Sequence, residues 1–288
     1  MTPSLPVGYR LVRLANGSHS IHALDCGETF HPVIGPVAEA QALYLHQMRL
    51  PERITATPGE FVIWDIGLGA AANPLTILAA TRNLPGTLRL LSFEKTLDPL
   101  HFALAHAPEL GYFDGYENPL RELLRTHAVT FQNGTQTIHW QLHLGDFPTL
   151  IATHPNHPPY PAPHAILFDA FSPARNPAMW TLPLFQNLYQ HLDPARPCAM
   201  PTYSRSTLLR VTLLLAGFFV GTGHATGEKE ETTIAANTLT LLSHPLDKAW
   251  LARAARSTSA EPLHEPIYRQ APLSPATQIL LHQHPQFR

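Results

Sequence analysis

The chain has 288 residues, of which 44% are hydrophobic and 14% charged, with 29 prolines and 18 histidines. That apolar content supports one large core with extensions. A formal charge of −2 and a pI of 6.8 exclude a general basic field, so any nucleic-acid contact requires a local patch.

Cys26 and Cys198 are too few for a disulfide framework or a cysteine zinc site and read as reduced thiols. The opening M-T-P-S-L-P-V-G-Y-R has no apolar signal core, and no window reaches a membrane-spanning length. The expectation is a cytoplasmic protein with no membrane contact.

Residues 1–57 read as an N-terminal extension. Asn16-Gly17 between runs 9–14 and 20–24 predicts a hairpin. Residues 29–36 read as a loop, and 37–50 as a helix closed by Pro51. The core is expected over 58–244 and a C-terminal extension over 245–288.

The core opens on F-V-I-W-D-I-G-L-G-A-A-A-N. Residues 61–66 are an apolar run of the kind a buried parallel strand shows. Gly67 and Gly69 follow, and after Pro74 the apolar positions turn helical. Strand, glycine turn and helix form a nucleotide-type site, because glycine lets the backbone turn and a ligand approach. The run G-L-G-A-A-A also satisfies the dinucleotide fingerprint. A second strand, 88–93, ends at Glu94. A carboxylate there can accept both hydroxyls of an adenosine ribose, in a nicotinamide enzyme as in others; it also fits an exposed strand-end acid.

Residues 97–106 fit a helix, and 108–127 an insertion with a short helix at 120–125. A third strand, 137–144, leads to Asp146, which fits either an acceptor for an adenine amino group or an N-cap for a helix from Phe147. His154, His157 and His164 lie in a proline-rich loop without the paired spacing of a metal site, so no metal is expected. A fourth strand ends at Asp169 and runs into D-A-F-S-P-A-R-N-P-A-M-W-T-L-P-L-F, a stiff loop at the carboxyl end of the sheet, where open parallel sheets bind ligands. A helix from Pro177 would bury Trp180, Leu184, Phe185 and Leu188. Strands at 197–203, from 217 and at 232–242 follow, with helices at 207–216 and 246–256; the last thirty or so residues carry no clear pattern.

Asp65, two residues before the first glycine, resembles the acid of the D/E-x-G-x-G loop of S-adenosylmethionine-dependent methyltransferases. The Asp169 segment is similar to the D-x-F-[AS]-P-x-[KR]-N-P-[DE]-[ML]-W-[ST] stretch of MnmC-type methyltransferases. G-L-G-A-A-A-N, F-E-K and the late G-E-K-E-E-T-T-I-A-A resemble that family's other motifs, over roughly residues 20–240. Ala71 stands where many members have glycine.

The resemblance implies a class I, Rossmann-like α/β fold with a seven-stranded, mostly parallel sheet flanked by helices. It implies S-adenosylmethionine over Asp65, Gly67, Gly69, Asn73, Glu94, Asp146 and Asp169. It implies Asp169 as the acid beside the methyl group and the substrate amine. A nearby carboxylate raises an amine's pKa, so Asp169 is expected to position the amine while water takes its proton. The substrate implied is the 5-aminomethyl group of the tRNA wobble uridine, its precursor made by separate flavin or GTPase enzymes, since no flavin oxidoreductase domain fits in the chain.

Phe30, His31 and Glu39 are expected to line the substrate mouth, with Pro173, Arg175 and Asn176 in the proline loop and Lys229 as a phosphate contact. Trp180 fits a core residue better than a stacking one. Two other readings stay open: methylation of another amine or of a protein, and a nicotinamide-binding oxidoreductase or silent Rossmann-like module.

Overall fold

The computed structural model describes residues 8–152, 160–227 and 230–288. The chain divides into two compact units. The first comprises Met1–Asp146, Leu167–Asp169 and Ala225–Glu230; the second comprises Phe147–Ile166, Ala170–His224 and Glu231–Arg288.

The first unit begins with a small antiparallel sheet of β1 (Tyr9–Arg13), β2 (His19–Ala23) and β3 (Glu28–Thr29). Gly17 takes the left-handed φ of 86° that the Asn-Gly turn requires. Asn16 anchors that turn to the next segment by donating Nδ2 to the Ile34 carbonyl at 2.8 Å. Gly35, at φ 85°, starts α1 (Pro36–Ala40), and a Cβ there would stand 2.6 Å from Ser18 Oγ. The helix expected over 37–50 is interrupted. It continues as a π-helical segment, Gln41–His46, and restarts as α2 (Leu50–Ala56). Pro51 opens α2 instead of ending the earlier helix, because the first helical turn needs no N–H from it.

The main strands of this unit are β4 (Glu60–Ile66), β5 (Gly86–Glu94), β6 (Ala128–Asn133) and β7 (Gln136–Leu144). With the end of β8 (Ala165–Phe168) they run in the order β8-β4-β5-β7-β6. The β4–β5 and β5–β7 pairs are parallel and β6–β7 is antiparallel. α3 (Ala72–Thr81), α4 (Asp98–Ala105), α5 (Ala107–Leu110) and α6 (Glu117–Thr126) connect them. Trp64, Phe93 and Trp140 are fully buried, with the Trp64 and Phe93 rings 5.4 Å apart. Each side chain of this size contributes about 1.5–3 kcal/mol by leaving water.

The second unit contains α7 (Phe147–Ala152), the start of β8, α8 (Leu182–Gln190), β9 (Ala199–Thr202), α9 (Thr207–Leu215), β10 (Phe219–Gly223), β11 (Thr232–Ala236), α10 (Lys248–Ala254) and α11 (Pro275–Gln283). Its strands run β10-β11-β9-β8, with β10–β11 and β11–β9 antiparallel. The helix expected from Pro177 is one 3-10 turn, Pro177–Trp180. Thr181 is extended there because it caps α8, accepting from Leu184 N at 3.3 Å.

Among the described residues the main strands, β4 to β11, number eight, not the seven expected. The addition is β6, whose Ala-Val-Thr-Phe-Gln-Asn alternates between exposed and half-buried positions up to a buried Asn133. It pairs with β7 across Asn133-Gly134, where Gly134 has φ 64°. Among the described residues no helix is long and apolar enough to cross a membrane.

Candidate active site

The site of the first unit is set by strand register. In the parallel β4–β5 ladder Asp65 faces Ser92. Ser92 Oγ donates to Asp65 Oδ2 at 2.7 Å and accepts from Trp140 Nε1 at 2.9 Å. Asp65 is fully buried, and its Oδ1 has no hydrogen-bond partner. Burial pushes Asp65 up to about 7; the Ser92 bond opposes the rise, while Asp169 and Glu94 add to it. This acid therefore lies beneath the glycine loop in a closed side-chain chain.

The same register brings the loop to the end of β5. Gly67 N donates to the Phe93 carbonyl at 3.0 Å, and Gly69 N donates to Glu94 Oε2 at 2.8 Å. Glu94 Oε1 accepts from Lys95 N at 2.7 Å and from Thr96 N at 3.3 Å. One carboxylate thus joins the loop to the strand end. Its burial still raises the carboxyl above its ordinary range, despite three amides favouring the charge. Gly69, at φ 51°, could not carry a Cβ without pressing it to 3.3 Å from Phe30 Cε2, so the Phe30 ring lies against the loop.

Asp169 N donates to the Ile66 carbonyl at 3.1 Å, which holds the acid at the end of β8 next to β4. Its Oδ2 accepts from Asn73 Nδ2, in the first turn of α3, at 2.7 Å. His31 Nε2 lies 3.4 Å from the same oxygen, and His31 Nδ1 lies 3.7 Å from Glu39 Oε1. Tyr44, in the π-helical segment, donates its hydroxyl to the Phe168 carbonyl at 3.1 Å. Burial alone would lower His31; Asp169 and Glu39 outweigh it and lift the imidazole to about 9. His31 sits at φ 47°, a left-handed conformation in which histidine is one of the more tolerated side chains.

In the first unit Phe30, Gly69 and Glu94 thus form one group of contacts, and Asn73, Asp169 and Glu39 another through His31, while Asp65 bonds to Ser92 and Gly67 to Phe93. Asp146 is exposed at the end of β7, after Gly145, whose N–H donates to the Glu94 carbonyl at 2.8 Å. Pro173, Arg175 and Asn176 belong to the second unit. They lie in a turn closed on Ser172 O by Arg175 N at 2.9 Å and Asn176 N at 2.8 Å, with Arg175 exposed. Trp180 is fully buried and donates Nε1 to the Phe171 carbonyl at 2.7 Å. Lys229, His154 and His157 fall outside the described residues.

The central position of His31, and the parts of Ser92 and Tyr44, were not evident from spacing. Their partners are distant in sequence, and no local pattern links them.

Comparison with known proteins gives the chain a class. Residues 114–238 match a family model described as S-adenosyl-L-methionine-dependent methyltransferase. Over its whole length the fold is similar to MNMC2 from Aquifex aeolicus, with a TM-score of 0.70 and 22% identity, covering 98% of this chain and 84% of that one. The protein is a class I S-adenosylmethionine-dependent methyltransferase.

The chain is 30% identical over 258 residues to the "tRNA 5-methylaminomethyl-2-thiouridine biosynthesis bifunctional protein MnmC" of Methylibium petroleiphilum, covering 83% of this chain and 36% of that protein. It is 33% identical over 222 residues to the protein of the same name from Aeromonas hydrophila, covering 72% and 32%. The chain therefore spans about a third of the length of these relatives. It is an MnmC-type methyltransferase domain.

The residues fit the cofactor of that class. Glu94 is a half-buried carboxylate at the strand end and Asp146 an exposed one. Asn73 Oδ1 is a buried acceptor without a donor, suited to a cationic group. Gly67 and Gly69 hold left-handed backbone, at φ 90° and 51°, that a side chain would strain.

Proposed function

We propose that this chain methylates the 5-aminomethyl nitrogen of (2-thio)uridine at the tRNA wobble position, giving 5-methylaminomethyl-2-thiouridine. The observation that carries the reading is Asp169, a shielded acid fixed by Asn73 beside the glycine loop. The names of the similar MnmC proteins support the nucleoside.

S-adenosylmethionine supplies a methyl group already activated on a sulfonium. Glu94 would hold its ribose hydroxyls, Asp146 its adenine and Asn73 its charged end. What remains for the protein is to align a nitrogen lone pair. An alkylamine has a pKa of about 10.4 and arrives charged. Asp169 accepts from that ammonium and fixes its position, with Phe30 and Glu39 lining the entrance.

Pro173, Arg175, Asn176 and Lys229 are assigned to the RNA on the strength of their motifs. Separate flavin or GTPase enzymes would supply the aminomethyl precursor, and a tRNA substrate fits a reaction in the cytoplasm. The net charge of −2 favours a second reading, methylation of another small amine or of a protein. The match to an S-adenosylmethionine-dependent family sets the nicotinamide reading aside.

The test is transfer of labelled methyl to bulk tRNA from cells lacking the enzyme, with the nucleoside identified by mass. Label in 5-methylaminomethyl-2-thiouridine is the expected result. Cofactor binding with unlabelled tRNA would leave the class intact and overturn the substrate.

A further inference from the structure

We propose that His31, held between Asp169 and Glu39, takes the proton from the substrate amine and so makes it a nucleophile; this rests on the amine-methylating reading above. The argument starts from placement. His31 Nε2 is 3.4 Å from Asp169 Oδ2, so a cation received by that carboxylate arrives beside the imidazole. On the other side His31 Nδ1 is 3.7 Å from Glu39 Oε1, an acid that orients the ring. The three side chains are 9%, 17% and 11% exposed, so water does little to screen them. The backbone of His31 is held in the left-handed region, and such conformations concentrate at functional positions.

Two ionisable groups act directly on His31: Asp169 from the end of β8 and Glu39 from α1. Asp65 of β4 is coupled to Asp169 in turn, and Glu94 of β5 to Asp65. With both direct partners charged, the free site holds an imidazolium, in keeping with the elevation of His31 to about 9.

A substrate ammonium at Asp169 places a second positive charge against the first. Like charges at one carboxylate disfavour each other, and the weaker base yields. That base is the imidazole, whose proton leaves to solvent. The neutral ring then presents its Nε2 lone pair to the ammonium. One N–H bond of the ammonium breaks, and its electron pair stays on the amine nitrogen. A new N–H bond forms at His31 Nε2. The freed pair would make the N–C bond as the donor's S–CH3 bond breaks with its electron pair left on sulfur, so the positive charge passes to the product nitrogen. His31 is then again the imidazolium of the free site, so one proton reaches solvent in each turnover. Glu39 is a positioning residue in this scheme, acting through the ring.

The experiment compares wild type, His31→Asn and Glu39→Gln in single-turnover methyl transfer to the unmethylated tRNA, from pH 6 to pH 10. Asparagine suits the left-handed backbone, so the first variant retains the fold. His31→Asn should lose about 10²-fold or more near pH 7. The loss should shrink as pH approaches the amine's own pKa of about 10.4, where the amine loses its proton unaided. In parallel, ring-carbon NMR of the cofactor-free chain should find a histidine titrating near 9. That signal should vanish in His31→Asn and move to lower pH in Glu39→Gln.

A His31→Asn defect of equal size at every pH would overturn the proposal while leaving the amine reading in place, as would a His31 that titrates at its ordinary position. A wild type that methylates no amine would overturn both.

Discussion

Asp65 and Asp169 end neighbouring strands, and the protein treats them differently. Asp65 is sealed under the loop with one hydroxyl donor from Ser92, one oxygen without a partner and a carboxyl pushed up to about 7. Asp169 has an amide donor from Asn73 and a histidine whose ionisation is favoured by two acids. Both are shielded from water, so burial alone does not separate them. The partners do: a neutral hydroxyl leaves burial dominant, whereas a cation and an amide suit a charge. A carboxyl that tolerates protonation is suited to shaping the loop. A carboxylate held beside a cation is suited to receiving an amine.

Substitution by the neutral amide is the sharpest way to break that contrast. Asp169→Asn should reduce single-turnover transfer about 10²-fold or more, since it removes the group that fixes the amine. Cofactor affinity, measured by calorimetry, should stay within a few-fold. Asp65→Asn should leave transfer within a few-fold, because the carboxyl it replaces is already close to neutral. Equal losses in the two variants would show that the acids act as one unit.

Glu94→Gln comes next in size. A glutamine offers one acceptor oxygen where the carboxylate serves Gly69, Lys95 and Thr96. At least one amide loses its partner, at about 1–3 kcal/mol. Cofactor affinity should fall about tenfold, or roughly 1.4 kcal/mol, with a matching drop in denaturant midpoint at constant slope. Unchanged binding would remove Glu94 from the cofactor site.

The pH dependence of stability separates the two acid environments without reference to activity. Asp65 stands at about 7 in the folded protein against an ordinary 3.8. Its folded form binds the proton more tightly, so this contribution is full below about 4 and is lost as pH rises through 7. His31 stands at about 9 against 6.5, so its contribution is full below about 6.5 and is lost as pH rises through 9. Denaturant titrations should show wild-type stability declining across both windows. Asp65→Asn should flatten the lower window and His31→Asn the upper.

The contrast also explains what could be read in advance. Gly67, Gly69, Glu94 and Asp169 were legible because each stands at the end of an apolar run, where local periodicity marks the end of a strand. β6 is hard to read from sequence although Asn133-Gly134 is a strong hairpin signal, because its outer face is polar and it follows directly on a helix. The π-helical turn at Gln41–His46 has no sequence signature of its own. Nor does α11, whose pattern is blurred by exposed Ile279 and Leu280. The His31 cluster was illegible in a stronger sense. The sequence sets His31 near the substrate mouth, but its charge depends on Asp169, which only the folded sheet brings to it.

Ala71 gives the smallest expected effect. It occupies φ 61°, ψ 16° at the N-cap of α3, where an L-residue pays about 1–2 kcal/mol that glycine does not. Glycine would lose about 0.5–1 kcal/mol through its freer unfolded chain. Removing a fully buried methyl costs about 0.8 kcal/mol more. These contributions nearly cancel, so Ala71→Gly should shift stability by no more than about 0.5 kcal/mol and leave cofactor affinity unchanged. A loss above about 1.5 kcal/mol would mean that the Ala71 methyl packs tightly enough to hold the loop. A near-zero change would mean that alanine and glycine are interchangeable here, and that this departure from the family pattern carries no argument against a working cofactor loop.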